Sequence, residues 1–197
     1  MLEGSKIRLR DFAEDDRAAF TALADDDRMF TYMKFRIDRA SAPSMVDYLI
    51  GEPTPSRRNF NLVVEGSDGF AGWAGLGPVA AESCQAEFGW YLASAHWGRG
   101  YATEATELLK DFAARHLHLR RLIATADPEN RASVRVLEKC GLVCEGETEP
   151  VDTWRGSRPR LLFSIELPKV PDGADEEQLR GGVHPDGPEP QRFRPLQ

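Results

Sequence analysis

His96-Trp97-Gly98-Arg99-Gly100-Tyr101-Ala102-Thr103-Glu104-Ala105 joins two segments of different periodicity. Before it, Phe88-Gly89-Trp90-Tyr91-Leu92 reads as a β-strand. After it, Ala102, Ala105, Leu108, Leu109, Phe112 and Ala113 recur at helical spacing through to Leu117, a stripe wide enough to pack on a sheet. The ten residues are therefore a turn that leads from a strand straight into a helix. Such a turn leaves backbone N–H groups unpaired at the positive end of a helix dipole, which suits a phosphate or pyrophosphate. Gly98 and Gly100 allow backbone to approach a ligand with no Cβ in between. The chain has no GxxxxGK[ST] stretch, which disfavours a nucleotide phosphate loop.

Strand and helix signals alternate on either side of this turn. Ile7-Arg8-Leu9-Arg10 alternates as a short first strand, and Asp15-Asp16 opens a helix carrying Ala19, Phe20 and Leu23. A second helix is predicted over Ala42–Ile50, with Pro43 near its start and Gly51 at its end. Met29–Asp38, between the two, fits neither period. Phe60–Glu65 and Phe70–Leu76 flank Gly66-Ser67-Asp68-Gly69 as a hairpin, and Cys84–Leu92 is the next strand. Arg121–Ala126 reads as a strand, Asn130–Cys140 as a helix stopped by Gly141, and Leu142–Glu145 and Leu161–Leu167 as the last strands. The order β-α-α-β-β-β-α-β-α-β-β predicts an α/β fold, a mixed sheet with helices on its faces.

The 197 residues accommodate one domain with a sizeable core, read here as 1–168, followed by a tail. Residues 169–197 mix five prolines and four glycines with scattered charge at a low apolar content, so they are expected to form a flexible tail. A net charge of −7 argues against a nucleic-acid binder that relies on phosphate attraction. An acidic balance is compatible with an amine substrate, although it more often serves solubility. Cys84, Cys140 and Cys144 are an odd set without a CxxC pair, which suits reduced thiols in a cytoplasm. The four histidines show no metal-ligand spacing, and no run of apolar residues is long enough for a membrane span. No metal, membrane or nucleic-acid partner is expected.

Three stretches together resemble a known family. They are Ile7–Arg10 with Glu14-Asp15-Asp16, Glu87–Leu92 running into Trp97–Ala105, and Asn130–Leu142. Over roughly residues 6–167 the chain is similar to the GNAT superfamily of acyl-CoA-dependent N-acyltransferases, and within it to the branch that acetylates ribosomal-protein N-termini. The resemblance implies a twisted, mostly antiparallel sheet flanked by helices and splayed at the cofactor site. It also implies that the turn cradles the pyrophosphate of coenzyme A. Trp97, Gly100 and Ala102 fall on the superfamily's Gln/Arg-x-x-Gly-x-Gly/Ala pattern, with Trp in the first place. On that reading Trp90, Tyr91, Leu92, Trp97, Gly98, Arg99, Gly100, Tyr101, Ala102, Thr103, Asn130 and Ser133 bind the cofactor. Arg99 would add a charge-assisted bond to phosphate, or else be a solvated loop residue.

The implied reaction is transfer of an acyl group, acetyl above all, from acyl-CoA to a primary amine without a covalent intermediate. An amine with a pKa near 10 must lose a proton before it attacks. Glu87, turned by strand alternation to the opposite face from Phe88, and Asp152, four residues before Gly156, are the two candidate bases. Each could equally be a solvated carboxylate. A backbone N–H near Trp90–Leu92 is implied to hold the carbonyl oxygen as charge develops. Asn130 is a preferred N-cap, and by resemblance it also meets the pantetheine end; Ser133 is implied to protonate the departing thiolate. The tyrosine this branch often carries in its last strand falls near Phe163, which leaves Ser133 the better acid. His96 is read as an exposed loop residue, the cysteines as bystander thiols, and Trp73, Trp90 and Trp154 as core or pocket wall. The acceptor stays open between a protein N-terminus and a small amine such as an antibiotic, amino acid or polyamine. A non-catalytic acyl-CoA-binding sensor on the same fold is the alternative. Members often form homodimers, but no apolar stripe in this sequence demands one.

Overall fold

The computed structural model describes residues 1–50, 59–79 and 84–169. The expected tail from Val170 onward, and Gly51 as a helix stop, lie outside the described residues. In chain order the elements begin with β1 (Leu2–Glu3), β2 (Arg8–Asp11), α1 (Arg17–Ala22), α2 (Ala42–Ile50), β3 (Phe60–Gly66), β4 (Gly69–Leu76) and β5 (Gln85–Leu92). They continue with α3 (Tyr101–Arg115), β6 (Arg121–Ala126), α4 (Arg131–Lys139), β7 (Val143–Glu147), β8 (Val151–Thr153), β9 (Gly156–Arg158) and β10 (Leu161–Glu166). Eight strands form one sheet in the order β1-β2-β3-β4-β5-β6-β10-β7, and β8 pairs with β9 in a separate hairpin.

Every pairing in the large sheet is antiparallel except β5 with β6, which α3 connects. Parallel neighbours need such a crossover, and here its first residues are the glycine-bearing turn. The alternation read in the sequence sends side chains to two faces. On one face Phe88, Leu92 and Leu122 meet Tyr101, Ala105 and Leu109 of α3 and Val134 and Leu137 of α4. On the other, Val63 and Trp73 meet Phe20 of α1, Val46 of α2 and Phe30 between them. Trp73 also stacks on Tyr91, ring centroids 4.6 Å apart, so β5 is packed on this second face as well.

The structure adds to the sequence reading in three places. Met29–Tyr32, within the segment that fitted neither period, is a 3-10 helix that buries Met29 and Phe30. The first helix opens with a 3-10 turn at Glu14–Asp16, whose buried Asp16 binds Arg10 through both carboxylate oxygens at 2.7 and 2.8 Å. The β8–β9 hairpin was not anticipated, because three-residue strands carry too little alternation to register. Its Trp154, read as core or pocket wall, is 45% exposed. The indole instead bonds the Phe30 carbonyl at 3.0 Å while the Trp154 amide bonds the Lys34 carbonyl at 3.1 Å, clipping the hairpin onto that segment. Helix α4 ends as expected. Gly141 has φ +83°, and the Leu142 amide reaches back to the Leu137 carbonyl at 3.0 Å.

One glycine governs how β4 meets the end of β5. Gly72 has φ +142°, and a Cβ there would lie 2.1 Å from the Tyr91 carbonyl oxygen. Gly72→Ala is expected to cost about 3 kcal/mol through strain and overpacking, read as a fall of roughly 10 °C in Tm. An unchanged Tm in a thermal melt would show that β5 tolerates the added methyl group.

Candidate active site

β4 follows β5 to its end, pairing Gly72 with Leu92, but β6 follows it only from Gln85 to Glu87. Beyond Glu87 the parallel neighbours part, and Ala124–Ala126 stays paired with β10 on its far side. The direction of the freed backbone groups follows from the ladder. Gly77 N–H donates to the Glu87 carbonyl and Ala93 N–H to the Ala71 carbonyl, so odd-numbered residues of β5 turn their backbone toward β4. The N–H groups of Trp90 and Leu92 therefore face the opening. A groove of about 730 Å³ occupies it, reaching from the α3 and α4 termini on one face to Met29, Lys34 and Arg160 on the other.

The turn forms one wall. Gly98 and Gly100 both hold positive φ, +76° and +85°, with open space at Gly98, so the conformation itself demands glycine there. Gly100 is the N-cap of α3 and offers no side-chain cap, and the first helical bond is Glu104 N–H to the Gly100 carbonyl. The amides of Tyr101, Ala102 and Thr103 are thus left to point into the groove. Trp97 donates its indole N–H to the Leu92 carbonyl at 2.9 Å, fixing the turn to the end of β5. His96 stacks on Tyr101 and its Nδ1 is buried without a partner. Burial holds this imidazole below its ordinary pKa, the Arg99 charge acting in the same direction.

The second wall is the start of α4. Asn130 caps the helix by accepting the Ser133 amide at 3.1 Å, and both residues line the groove. The capping reading of Asn130 therefore holds, and the side-chain NH₂ remains free to donate. Arg131, Arg135 and Lys139, four residues apart, put a basic stripe along the same wall. Two helix N-termini and three cations thus converge on one space.

The opposite face carries the titratable chemistry. Glu87 accepts from Lys34 Nζ at 3.1 Å and from the Thr125 hydroxyl at 3.3 Å. Tyr91 lies beside it; burial raises its phenol pKa and the Glu87 charge adds to the effect, so the ring stays a proton donor. Arg160 is 6% exposed, and its two Nη groups donate to the Tyr32 and Thr125 carbonyls at 3.3 and 3.5 Å.

Of the sequence-derived residues, Glu87, Trp90, Tyr91, Leu92, Trp97, Gly98, Gly100, Tyr101, Ala102, Thr103, Asn130 and Ser133 all line this groove. Arg99 and Asp152 do not. Arg99 turns outward to Asp68 on the β3–β4 turn, at 2.5 Å. Asp152 is exposed on β8, opposite Ser157. His96, expected to be exposed, is half-buried in the lining. Lys34 and Arg160 were missed, and so was the basic stripe, although its spacing of four was visible. No disulfide joins Cys84, Cys140 or Cys144 among the described residues, and burial pushes Cys140 up to about 11, which suits bystanders. Among the described residues no cluster of side chains could hold a metal ion, and no helix is long and apolar enough to cross a membrane.

Known proteins share this architecture. Residues 6–143 match the family described as acetyltransferase (GNAT) domain. The chain is 28% identical to an uncharacterized N-acetyltransferase of Bacillus licheniformis, p20, over 72% of its own length and 81% of that protein's. It is 30% identical to a probable N-acetyltransferase of Bacillus subtilis (strain 168), YjcK, over 74% and 85%. Among solved structures, Mycobacterium smegmatis RimJ in complex with CoA-disulfide superposes with a TM-score of 0.72 at 26% identity, over 82% of this chain and 86% of that one. The parted strands, the uncapped turn and these likenesses agree: the chain belongs to the GNAT acetyltransferase family.

Proposed function

We propose that the protein transfers an acetyl group from acetyl-CoA to a primary amine by direct attack within a ternary complex. The observation that carries this reading is the parting of β5 from β6 beyond Glu87. It brings unpaired strand amides, two helix N-termini and a carboxylate into one groove. The residues fit the donor: an uncapped glycine turn for a pyrophosphate, a basic stripe for further phosphate charge, and a long cleft for an extended chain. RimJ of Mycobacterium smegmatis, seen with a CoA-disulfide, supports the same choice.

Each part of the chain then has a task. The amides of Tyr101, Ala102 and Thr103 hold the pyrophosphate, and the free NH₂ of Asn130 meets the pantetheine end. The N–H groups of Trp90 and Leu92 stabilise negative charge on the carbonyl oxygen. Glu87 removes a proton from the amine, directly or through water, as nitrogen bonds to the acetyl carbon. The carbon–sulfur bond breaks, and the Ser133 hydroxyl at the positive end of α4 relays a proton to the thiolate, taking its replacement from water in the groove. Glu87 takes this role over Asp152 because only Glu87 lines the groove.

Glu87→Gln is expected to lower kcat by on the order of 100- to 1,000-fold with little change in the KM for acetyl-CoA, measured as thiol release with an amine panel. Tight coenzyme A binding with no turnover in the wild type would favour an acyl-CoA sensor instead.

Asn130 separates capping from binding. Asn130→Ala is expected to lose about 1 kcal/mol of stability, read by urea unfolding, and to raise the KM for acetyl-CoA. Asn130→Asp should restore the stability but not the KM, because Asp caps a helix and cannot donate. Recovery of both would make Asn130 a cap alone.

A further inference from the structure

Arg160 is a buried cation whose hydrogen bonding is incomplete. It is 6% exposed, lines the groove, and its Nε is buried with no hydrogen-bond partner. Its two Nη groups reach only backbone carbonyls, at 3.3 and 3.5 Å. Among the described residues no carboxylate forms an ion pair with it, whereas Arg158 two positions earlier pairs with the buried Asp127 at 3.3 Å. Desolvating a guanidinium without an anion is unfavourable, and its planar fork is shaped for a carboxylate or phosphate. An anion arriving in the groove beside it would supply the counter-charge that the guanidinium lacks.

The neighbourhood says where on the acceptor that anion sits. Thr125 donates its hydroxyl to Glu87 and accepts from Arg160 on its carbonyl, so the candidate base and the unpaired guanidinium are separated by the width of one residue. Lys34, bonded to Glu87 at 3.1 Å, places a second cation beside the same spot. A polyamine would bring its further ammonium groups against Lys34 and Arg160. An amine with a nearby negative group would instead have its nitrogen at Glu87 and its anion at Arg160. We propose that Arg160, assisted by Lys34, selects acceptor amines that carry a carboxylate or phosphate close to the amino group. This rests on the acetyl-transfer reading above.

The test uses the full chain at saturating acetyl-CoA, with thiol release as the readout. Acceptors are α-amino acids, their carboxamides, aminoalkyl phosphates, the matching phosphate-free amines, and spermidine. The wild type is expected to favour the anionic member of each pair by on the order of 100-fold in kcat/KM, because a buried donor left unpaired rejects the analogue that lacks its partner. The better of the amino acid and aminoalkyl phosphate arms identifies the anion. In Arg160→Gln the preference should collapse toward unity, with Arg160→Lys retaining part of it and Lys34→Gln weakening it. A merely structural Arg160 would lower both members of a pair alike.

Equal turnover of amino acid and carboxamide, or a wild-type preference for spermidine, overturns the selection by Arg160 and leaves acetyl transfer standing. Bound acetyl-CoA with no thiol release for any amine overturns acetyl transfer, and this inference with it.

Discussion

Two neighbouring strands that are parallel for three residues and then part are the constraint on which the rest of the molecule depends. β5 is held to its tip by β4, while β6 is held by β10 along its whole length. Neither can follow the other without losing those ladders, so the gap beyond Glu87 is built into the sheet. Trp97 and Asp26 keep it open from the β5 side, the first by taking the Leu92 carbonyl and the second by accepting the Ser94 amide at 2.6 Å. Backbone amides inside a sheet normally have partners, and leaving them unpaired is unfavourable. The fold tolerates that loss where a ligand carbonyl can supply the missing acceptor.

Local charge in this cleft departs from the charge of the whole. The chain carries a net −7, yet Lys34, Arg131, Arg135, Lys139 and Arg160 line the groove against Glu87 and Glu129. Ionic screening confines the influence of distant surface carboxylates to about 10 Å at ordinary salt. The two helix N-termini add to the same positive field. Net charge therefore bears on bulk partners such as nucleic acid and says little about what a groove accepts.

What could be read in the sequence was whatever is decided between near neighbours in the chain. Gly98 and Gly100 sit in one turn, Asn130 and Ser133 in one helix start, and Glu87 in a strand whose alternation sets its face. Arg160 was out of reach because its meaning comes from Tyr32 and Thr125, which are 128 and 35 positions away. Lys34 lies in the segment that fitted neither helix nor strand, and the strand that gives it a partner is 53 positions on. Arg99 and Asp152 show the converse. Their spacing was suggestive, but Asp68 draws Arg99 outward and the β8–β9 pairing leaves Asp152 on the surface. The basic stripe on α4 was visible as spacing, but a stripe of cations on a helix is ordinary until the groove beside it is known.

The position of Glu87 ties these observations together. It is the last residue of β5 that β6 still pairs, opposite Ile123, and on its other side the Gly77 amide donates to its carbonyl at 2.8 Å, so its backbone is held from both sides. One residue later the sheet opens. Two further along β6 from Ile123, Thr125 bonds the Glu87 carboxylate, and Arg160, just before the β10 residue that pairs with Ala126, is bonded in turn by Thr125. A carboxylate on a mobile loop would have to be ordered for every encounter. Here the cost of ordering was met in folding the sheet, and the Glu87 carboxylate, the opened amides and the buried cation stand in a fixed relation before any ligand arrives. Acyl transfer to an amine needs little beyond such positioning, because the attack is a single displacement between two bound molecules whose approach is the improbable part.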